Sequence, residues 1–437
     1  EDSSRIRRET EEDARIPLPT SSPPPRPPER RPGAKGSTAV TMSHATGHAG
    51  GTGAHAQAGQ LQATGGAPAR PAPSPGGLRE PFEAGRVYPV LPGLLGYTAH
   101  TDDEMTRREI DGNPHIFLFS DVHQELYTPF CSDFGPLKLS VVHSFNLQMR
   151  RYLSDPQLAP RQLVYYSSTD PAERTNTAFL LAAHLVIDRQ MSPDAAWAPF
   201  ARIGAAPEEW GGTGLAFEEY RDATYERDTY QLSVLSCLRG LHKAMSLGWY
   251  SAIEFDQEGY DDLDDPSFAD IHVLCPKFVA FKSPAWRKTC LPEGAYAFTP
   301  AHYAPLLRDG LACTTVVRLN EASSYDAADF VRERLEHFDV YFEDCTNPSR
   351  EAVDRFLAVC EGRQGRVAVH CRAGLGRTGT MVAIYWMKHF GWSAAECIGW
   401  LRIVRPGSVL GNQQQYLERV YQLMQSGGWD AGEDVGE

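Results

Sequence analysis

A concealed internal repeat narrows the fold of this chain more than any other feature. A shift of 203 positions, the distance from Ser168 to Cys371, lays Val164-Tyr-Tyr-Ser-Ser168 over Val367-Ala-Val-His-Cys371. The same shift lays Arg174-Thr-Asn-Thr177 over Arg377-Thr-Gly-Thr380, and one apolar helical stretch over another. Each copy reads as an apolar strand, a tight loop and a helix. Further on, Ser192 and Ser393 each stand before a second helix as N-cap residues, and Pro193 suits a first helical position. The rival reading is a chance likeness of two strand–loop–helix units. The repeat favours two tandem α/β domains, each a central, mostly parallel sheet flanked by helices.

Only the second copy has the residues for chemistry. A phosphate ester dianion repels most nucleophiles, so the attacking group must be ionised near neutral pH and held where phosphoryl oxygens are already neutralised. The thiolate of Cys371 meets that need. The residues that follow, Arg372, Ala373, Gly374, Leu375 and Gly376, can curl so that successive N–H groups point inward, and the helix beginning near Arg377 adds its positive end. Arg377 can grip two equatorial oxygens at once. Thr378 can hydrogen-bond the sulfur and assist its departure, and His370 is expected to orient the loop. In the first copy Ser168 lacks a base, and Asp170 and Glu173 would repel phosphate, so that copy is expected to be dead.

Two other phosphate motifs fit less well. Gly374-Leu-Gly-Arg-Thr-Gly379 has the dinucleotide-binding spacing, yet only 58 residues follow Gly379 in a chain of 437. Ser393-Ala-Ala-Glu396 reads as a helix capping box instead. A nucleoside-triphosphate loop fails because Thr380 stands where lysine is required.

Composition divides the chain. Residues 1–85 are crowded with Pro, Gly, Ser, Ala and His, include Ser22-Pro-Pro-Pro-Arg-Pro-Pro28, and read as a disordered tail. Arg26, Arg30 and Arg31 in it form either a nuclear address or a solvated basic run. The expected domains are 86–253, non-catalytic; 254–270, an acidic linker helix; and 271–428, catalytic. No run of 18 apolar residues and no leader pattern occurs, so neither a membrane span nor a secretion signal is expected. The first residue is not Met, so the chain is expected to be a fragment of a longer one. Nine cysteines without Cys-x-x-Cys pairs argue against a disulfide framework and a structural zinc site; no metal or cofactor is expected. The net charge of −14 disfavours nucleic acid and anionic membranes and favours basic substrates.

Loss of an alkoxide needs a proton donor from a separate loop. Upstream of the strand before the Cys loop, Phe338-Asp-Val-Tyr-Phe-Glu-Asp-Cys-Thr346 reads as an apolar strand running into a turn, and Asp344 is the choice for general acid, with Glu343 and Asp339 as alternatives. Gln413, Gln414 and Gln415, at the mouth of the last helix, are candidates for positioning the hydrolytic water.

His370-Cys-Arg-Ala-Gly-Leu-Gly-Arg-Thr-Gly-Thr380, Met387-Lys-His389, Arg405-Pro-Gly-Ser-Val409 and Gln413-Gln-Gln415 together resemble the cell-division-cycle-fourteen family of dual-specificity phosphatases. Asp133-Phe-Gly-Pro-Leu137, Asn176-Thr-Ala-Phe-Leu180, Val317-Arg-Leu-Asn320 and Asp344 extend the likeness from about Phe119 to Gln425. The resemblance implies two phosphatase-like domains joined by a linker helix, with only the second catalytic. It also implies phosphoprotein substrates carrying phosphoserine followed by proline and a nearby basic residue, phosphotyrosine activity, a role at mitotic exit, and a nuclear, cytoplasmic or spindle location. An acidic groove that would read the basic residue maps onto Asp222, Asp256, Glu258 and Asp261. The chain departs from the family at Cys345, where Gly is usual, and over Glu208–Leu215. Cys345 is either a tolerated small residue or a reversible redox partner of Cys371. The competing readings are a lipid or RNA-end phosphatase, a phosphopeptide-binding pseudoenzyme, and a scaffold acting through the tail.

Overall fold

The computed structural model describes residues 79–120, 126–291, 295–433 and 435. The expected tail lies outside the described residues up to position 78. Its last few residues correct the expected boundary at 85: Glu80 bridges to Ile203, and the ring of Phe82 is 1% exposed, edge-on to Tyr88 and Trp210. An aromatic ring of that size anchors whatever backbone carries it.

The first domain runs β1 (Tyr88–Leu91), β2 (Leu95–His100), α1 (Asp103–Gly112), β3 (Ile116–Phe119), α2 (Leu139–Ser154), β4 (Gln162–Ser168), α3 (Pro171–Ile187), α4 (Pro193–Ala201) and α5 (Val234–Ser246). Its sheet has the order β1-β2-β4-β3; β4 is parallel to both neighbours and β1 is an antiparallel edge. A linker helix, α6 (Gln257–Asp264), falls inside the expected acidic segment.

The second domain follows with β5 (Ile271–Val273), β6 (Phe278–Phe281), β7 (Thr289–Cys290), β8 (Tyr296–Ala297), α7 (Pro300–Pro305), β9 (Cys313–Arg318), α8 (Ala328–Arg332), β10 (Glu336–Asp339), α9 (Arg350–Glu361), β11 (Arg366–His370), α10 (Gly376–Phe390), α11 (Ala394–Val404) and α12 (Gln413–Ser426). The order is β10-β9-β11-β6-β5, with β11 at the centre, parallel to β9 and β6. A central parallel strand is covered on both faces, which is why Val367, Ala368 and Val369 form an unbroken apolar run. Val367 and Val369 join the core under α9, α10, α11 and α12, whereas Ala368 joins a separate cluster with Tyr303 and Phe330.

The repeat is realised element by element, β4-α3-α4 in the first domain and β11-α10-α11 in the second. The Ser192 cap and the Ser393–Glu396 capping box are both formed. The domains share one continuous core. At their seam α5 and α11 cross so closely that a Cβ on Gly240 would sit 2.5 Å from the Glu396 carbonyl, and one on Gly399 2.8 Å from the Cα of Cys237. Trp249 stacks on Trp392 beside that crossing, with ring centroids 5.0 Å apart, and Lys243 pairs with Glu396 at 2.7 Å. The linker helix ties both sides together. Its Asp264 holds Lys138 of the first domain at 2.7 Å and lies 3.0 Å from His272 of the second, while Tyr260 donates to the Val404 carbonyl.

Candidate active site

Cys371 directly follows the central strand and is 2% exposed. The loop after it is held from outside by three successive carbonyls. Ser283 N–H donates to the Arg372 carbonyl at 3.1 Å, Arg405 Nη2 to Ala373 at 2.9 Å, and Arg405 Nε to Gly374 at 2.9 Å. Carbonyls turned outward leave the intervening N–H groups to face inward, the concavity an anion needs. Gly374 has φ +72°, and a Cβ there would stand 2.2 Å from the Phe281 carbonyl oxygen, so no other residue fits. Helix α10 then begins with no side chain capping its first amides. Its positive end is left for a ligand.

Arg377 is wholly buried. Its Nη1 donates to the Phe342 carbonyl at 2.9 Å, whereas its Nε has no hydrogen-bond partner among the described residues. Nη2 faces the Asp344 carboxylate at 3.1 Å without forming a directed bond. The buried hydroxyl of Thr378 is likewise unsatisfied. Unpaired donors at this depth are costly unless a ligand completes them. The first-domain copy supplies the contrast. Arg174 is also buried, but it donates to the carbonyls of Ala216, Thr169 and Leu215. Ser168 donates to Glu173, and Asp170 caps the start of α3 by accepting from Ala172 and Glu173. The Ser168 hydroxyl and the Arg174 guanidinium are thus spent within the protein.

Asp344 lies opposite Arg377 and remains about half-exposed. Of the alternatives, Asp339 is paired with Arg318 at 2.6 Å, and Glu343 is exposed beside Asp344. Cys345 adopts φ +61°, the left-handed region in which glycine is favoured, and its N–H donates to the Asp344 carboxylate at 3.2 Å. Burial and the neighbouring charge of Asp344 push the Cys345 thiol up, so it is a poor thiolate.

The three glutamines separate. Gln413 is buried, donates to the Thr346 carbonyl on the acid loop at 3.1 Å, and stands against Gly376 at the start of α10. Gln414 instead accepts from Arg402 at 2.6 Å, and Gln415 donates to Thr229 of the first domain. Both are corrections: neither amide bonds the acid loop as that of Gln413 does. The groove carboxylates also separate. Asp222 is 3% exposed and accepts from the Gly411 N–H at 2.6 Å, clamping the turn before Gln413, so it is not an open groove charge. Asp256 caps the linker helix, Asp261 lies 3.5 Å from Lys138, and Glu258 is exposed on the same helix.

Sequence reasoning missed Arg405 as the loop clasp and Arg402 as the buried post for Ser408, Val409 and Gln414. Both arginines occur in an apolar helix end, Trp400-Leu-Arg-Ile-Val-Arg405, where a buried charge is itself a signal.

A Cys-x5-Arg loop cradled between the central strand of a parallel sheet and a helix, with a carboxylate opposite, defines the fold and site of the cysteine-dependent phosphatase class. Two family models match: the N-terminal half of dual-specificity protein phosphatase over residues 94–244, and the DSP-PTPase phosphatase domain described as a Swiss Army Knife protein over 302–416. The dual-specificity protein phosphatase CDC14A of Mus musculus is 37% identical over 305 residues, which cover 70% of this chain and 49% of the relative. The tyrosine-protein phosphatase CDC14 of Saccharomyces cerevisiae is 31% identical, covering 77% of this chain and 58% of the relative. A solved structure of PTPMT1 is 18% identical with a TM-score of 0.31, over 37% of this chain and 99% of that one. The chain belongs to the CDC14 family of dual-specificity protein phosphatases. It spans about half the length of the curated relatives it matches.

Proposed function

We propose that this protein is a dual-specificity protein phosphatase working through a cysteinyl-phosphate intermediate. The observation that carries this reading is the set of unsatisfied buried donors, Arg377 Nε and Nη2 and the Thr378 hydroxyl, on the helix start that the Cys371 loop leads into. The Cys371 sulfur attacks phosphorus, the P–O bond to the leaving group breaks, and Asp344 donates its proton to the departing oxygen. Arg377 and the loop amides hold the three equatorial oxygens in a water-poor cup. Water placed by Gln413 then attacks the thiophosphate, Asp344 takes its proton, and inorganic phosphate leaves as the S–P bond breaks.

The substrate class belongs to the same proposal: phosphoserine before proline with a basic residue after it, as well as phosphotyrosine. The family resemblance supports it, as does the exposed Glu258 and partly exposed Asp261 of the linker helix. A role at mitotic exit, and a nuclear, cytoplasmic or spindle location, rest on the resemblance. Phosphate release from paired phosphoserine-proline peptides, with and without a lysine three residues on, tests the reading. Preference for the basic peptide supports the substrate class. Equal rates for the two would end it, and rates equal to those of Cys371→Ser would end the phosphatase reading.

A further inference from the structure

Beneath the phosphate loop runs a hydrogen-bond chain whose direction the groups themselves determine. His370 Nδ1 lies 3.2 Å from the carbonyl of Cys371. A carbonyl only accepts, so Nδ1 carries the proton and donates. Burial holds the ring's pKa down to about 3, so His370 is neutral and its Nε2 is an acceptor. The Tyr325 hydroxyl, 2.7 Å away, must then donate to it. With its one proton spent, the phenol oxygen accepts from His337 Nε2 at 2.8 Å. Tyr325 is 3% exposed and fixed from both sides: Arg318 lies over its ring at 4.5 Å and donates to its carbonyl at 2.7 Å. Arg318 is in turn held by Asp339 at the end of β10. His337 stacks on Phe330. One chain thus links an edge strand to the nucleophile's own peptide group.

We propose that Tyr325 and His337 are positioning residues for the reaction, which set the His370 tautomer and through it the orientation of the Cys371 carbonyl and the loop amides. Neither residue touches the phosphoryl group. Arg405 and Ser283 fix the carbonyls of residues 372–374 from outside. His370 fixes the first carbonyl, that of Cys371, from below. Without the phenol proton, His370 Nε2 is a buried acceptor with no donor, and the alternative tautomer would turn a lone pair toward the Cys371 carbonyl. The first amides of the loop would then lose their aim.

The inference rests on the phosphatase reading of the loop, so its test includes a measurement that needs no turnover. Tyr325→Phe keeps the ring packed on Phe330 and removes only the hydroxyl. His337→Gln keeps an N–H donor, and His337→Leu removes it. Tyr325→Phe is expected to lower kcat/KM on an aryl phosphate about 10- to 100-fold, the cost of a misplaced catalytic group. His337→Leu should lose about tenfold and His337→Gln should recover most of that loss. Alkylation of Cys371 by iodoacetamide at one fixed pH should slow in the same order, since the loop amides stabilise the thiolate. Equal loss in His337→Leu and His337→Gln, or a Tyr325→Phe protein alkylated and turning over within twofold of wild type, would overturn the proposal. If the wild-type protein has no Cys371-dependent turnover, the phosphatase reading falls and the alkylation order still decides the chain.

Discussion

At the residue scale, the two copies of one loop differ in whether their polar groups are already satisfied. Arg174 and Arg377 are both buried at the start of a helix, yet one is surrounded by carbonyls and the other is left with an unpaired Nε. Asp344 faces the Nη2 of Arg377 at 3.1 Å. Asp344→Ala should lower turnover on alkyl phosphates about 10²- to 10⁴-fold, with a smaller loss on aryl phosphates, whose leaving groups need less protonation. A steady-state comparison of the two substrate types checks this. Cys345 illustrates a departure that geometry explains: a left-handed backbone costs a non-glycine residue roughly 1–2 kcal/mol, partly offset by the entropy glycine loses on folding. Cys345→Gly should therefore raise stability by about 0.5–1 kcal/mol, read from denaturant midpoints. Cys371, Arg377 and Asp344 were legible because their chemistry demands particular residue types at particular spacings. Arg405 was not, because a clasp on backbone carbonyls leaves no spacing rule.

At the scale of elements, the first domain braces the site at the turn before Gln413. Asp222 accepts from Gly411, which lies 189 positions away in the chain, and Gln413 follows two residues later. No pattern in a single sequence announces a bond of that span, and Asp222 read as a groove charge from the family resemblance alone. If the clamp sets Gln413, Asp222→Ala should slow hydrolysis of the thiophosphate about tenfold while leaving sulfur attack nearly intact. Stopped-flow traces on an aryl phosphate would then show a larger burst before a slower steady state. The linker helix carries a different coupling. Burial works to raise the carboxyl pKa of Asp264, but His272 and Lys138 outweigh it and hold it well below the usual range. A depressed folded-state value means that this stabilisation is present above the unfolded carboxyl pKa of about 4 and is lost as pH falls through the lower folded value. Asp264→Asn should therefore destabilise the protein at pH 7, and the gap between urea midpoints should narrow toward pH 2.

At the scale of the whole molecule, the duplication was legible because each copy needs an apolar central strand and a capped second helix, and both leave period and punctuation in the sequence. The seam was not. Gly240 and Gly399 look unremarkable in their helices until α5 and α11 cross at backbone contact. The tail boundary slipped because one aromatic ring, Phe82, is buried ahead of position 85, and composition averages over single residues. Division of labour between the copies is the central claim: the second binds and cleaves, and the first has closed its own loop and supports its partner. Rapid denaturation during turnover of a phosphoryl-labelled substrate, followed by peptide mapping at alkaline pH, tests that claim most directly. The account predicts label on the peptide containing Cys371, none on the peptide containing Ser168, and no label in Cys371→Ser. Label at Ser168, or undiminished turnover by Cys371→Ser, would contradict it.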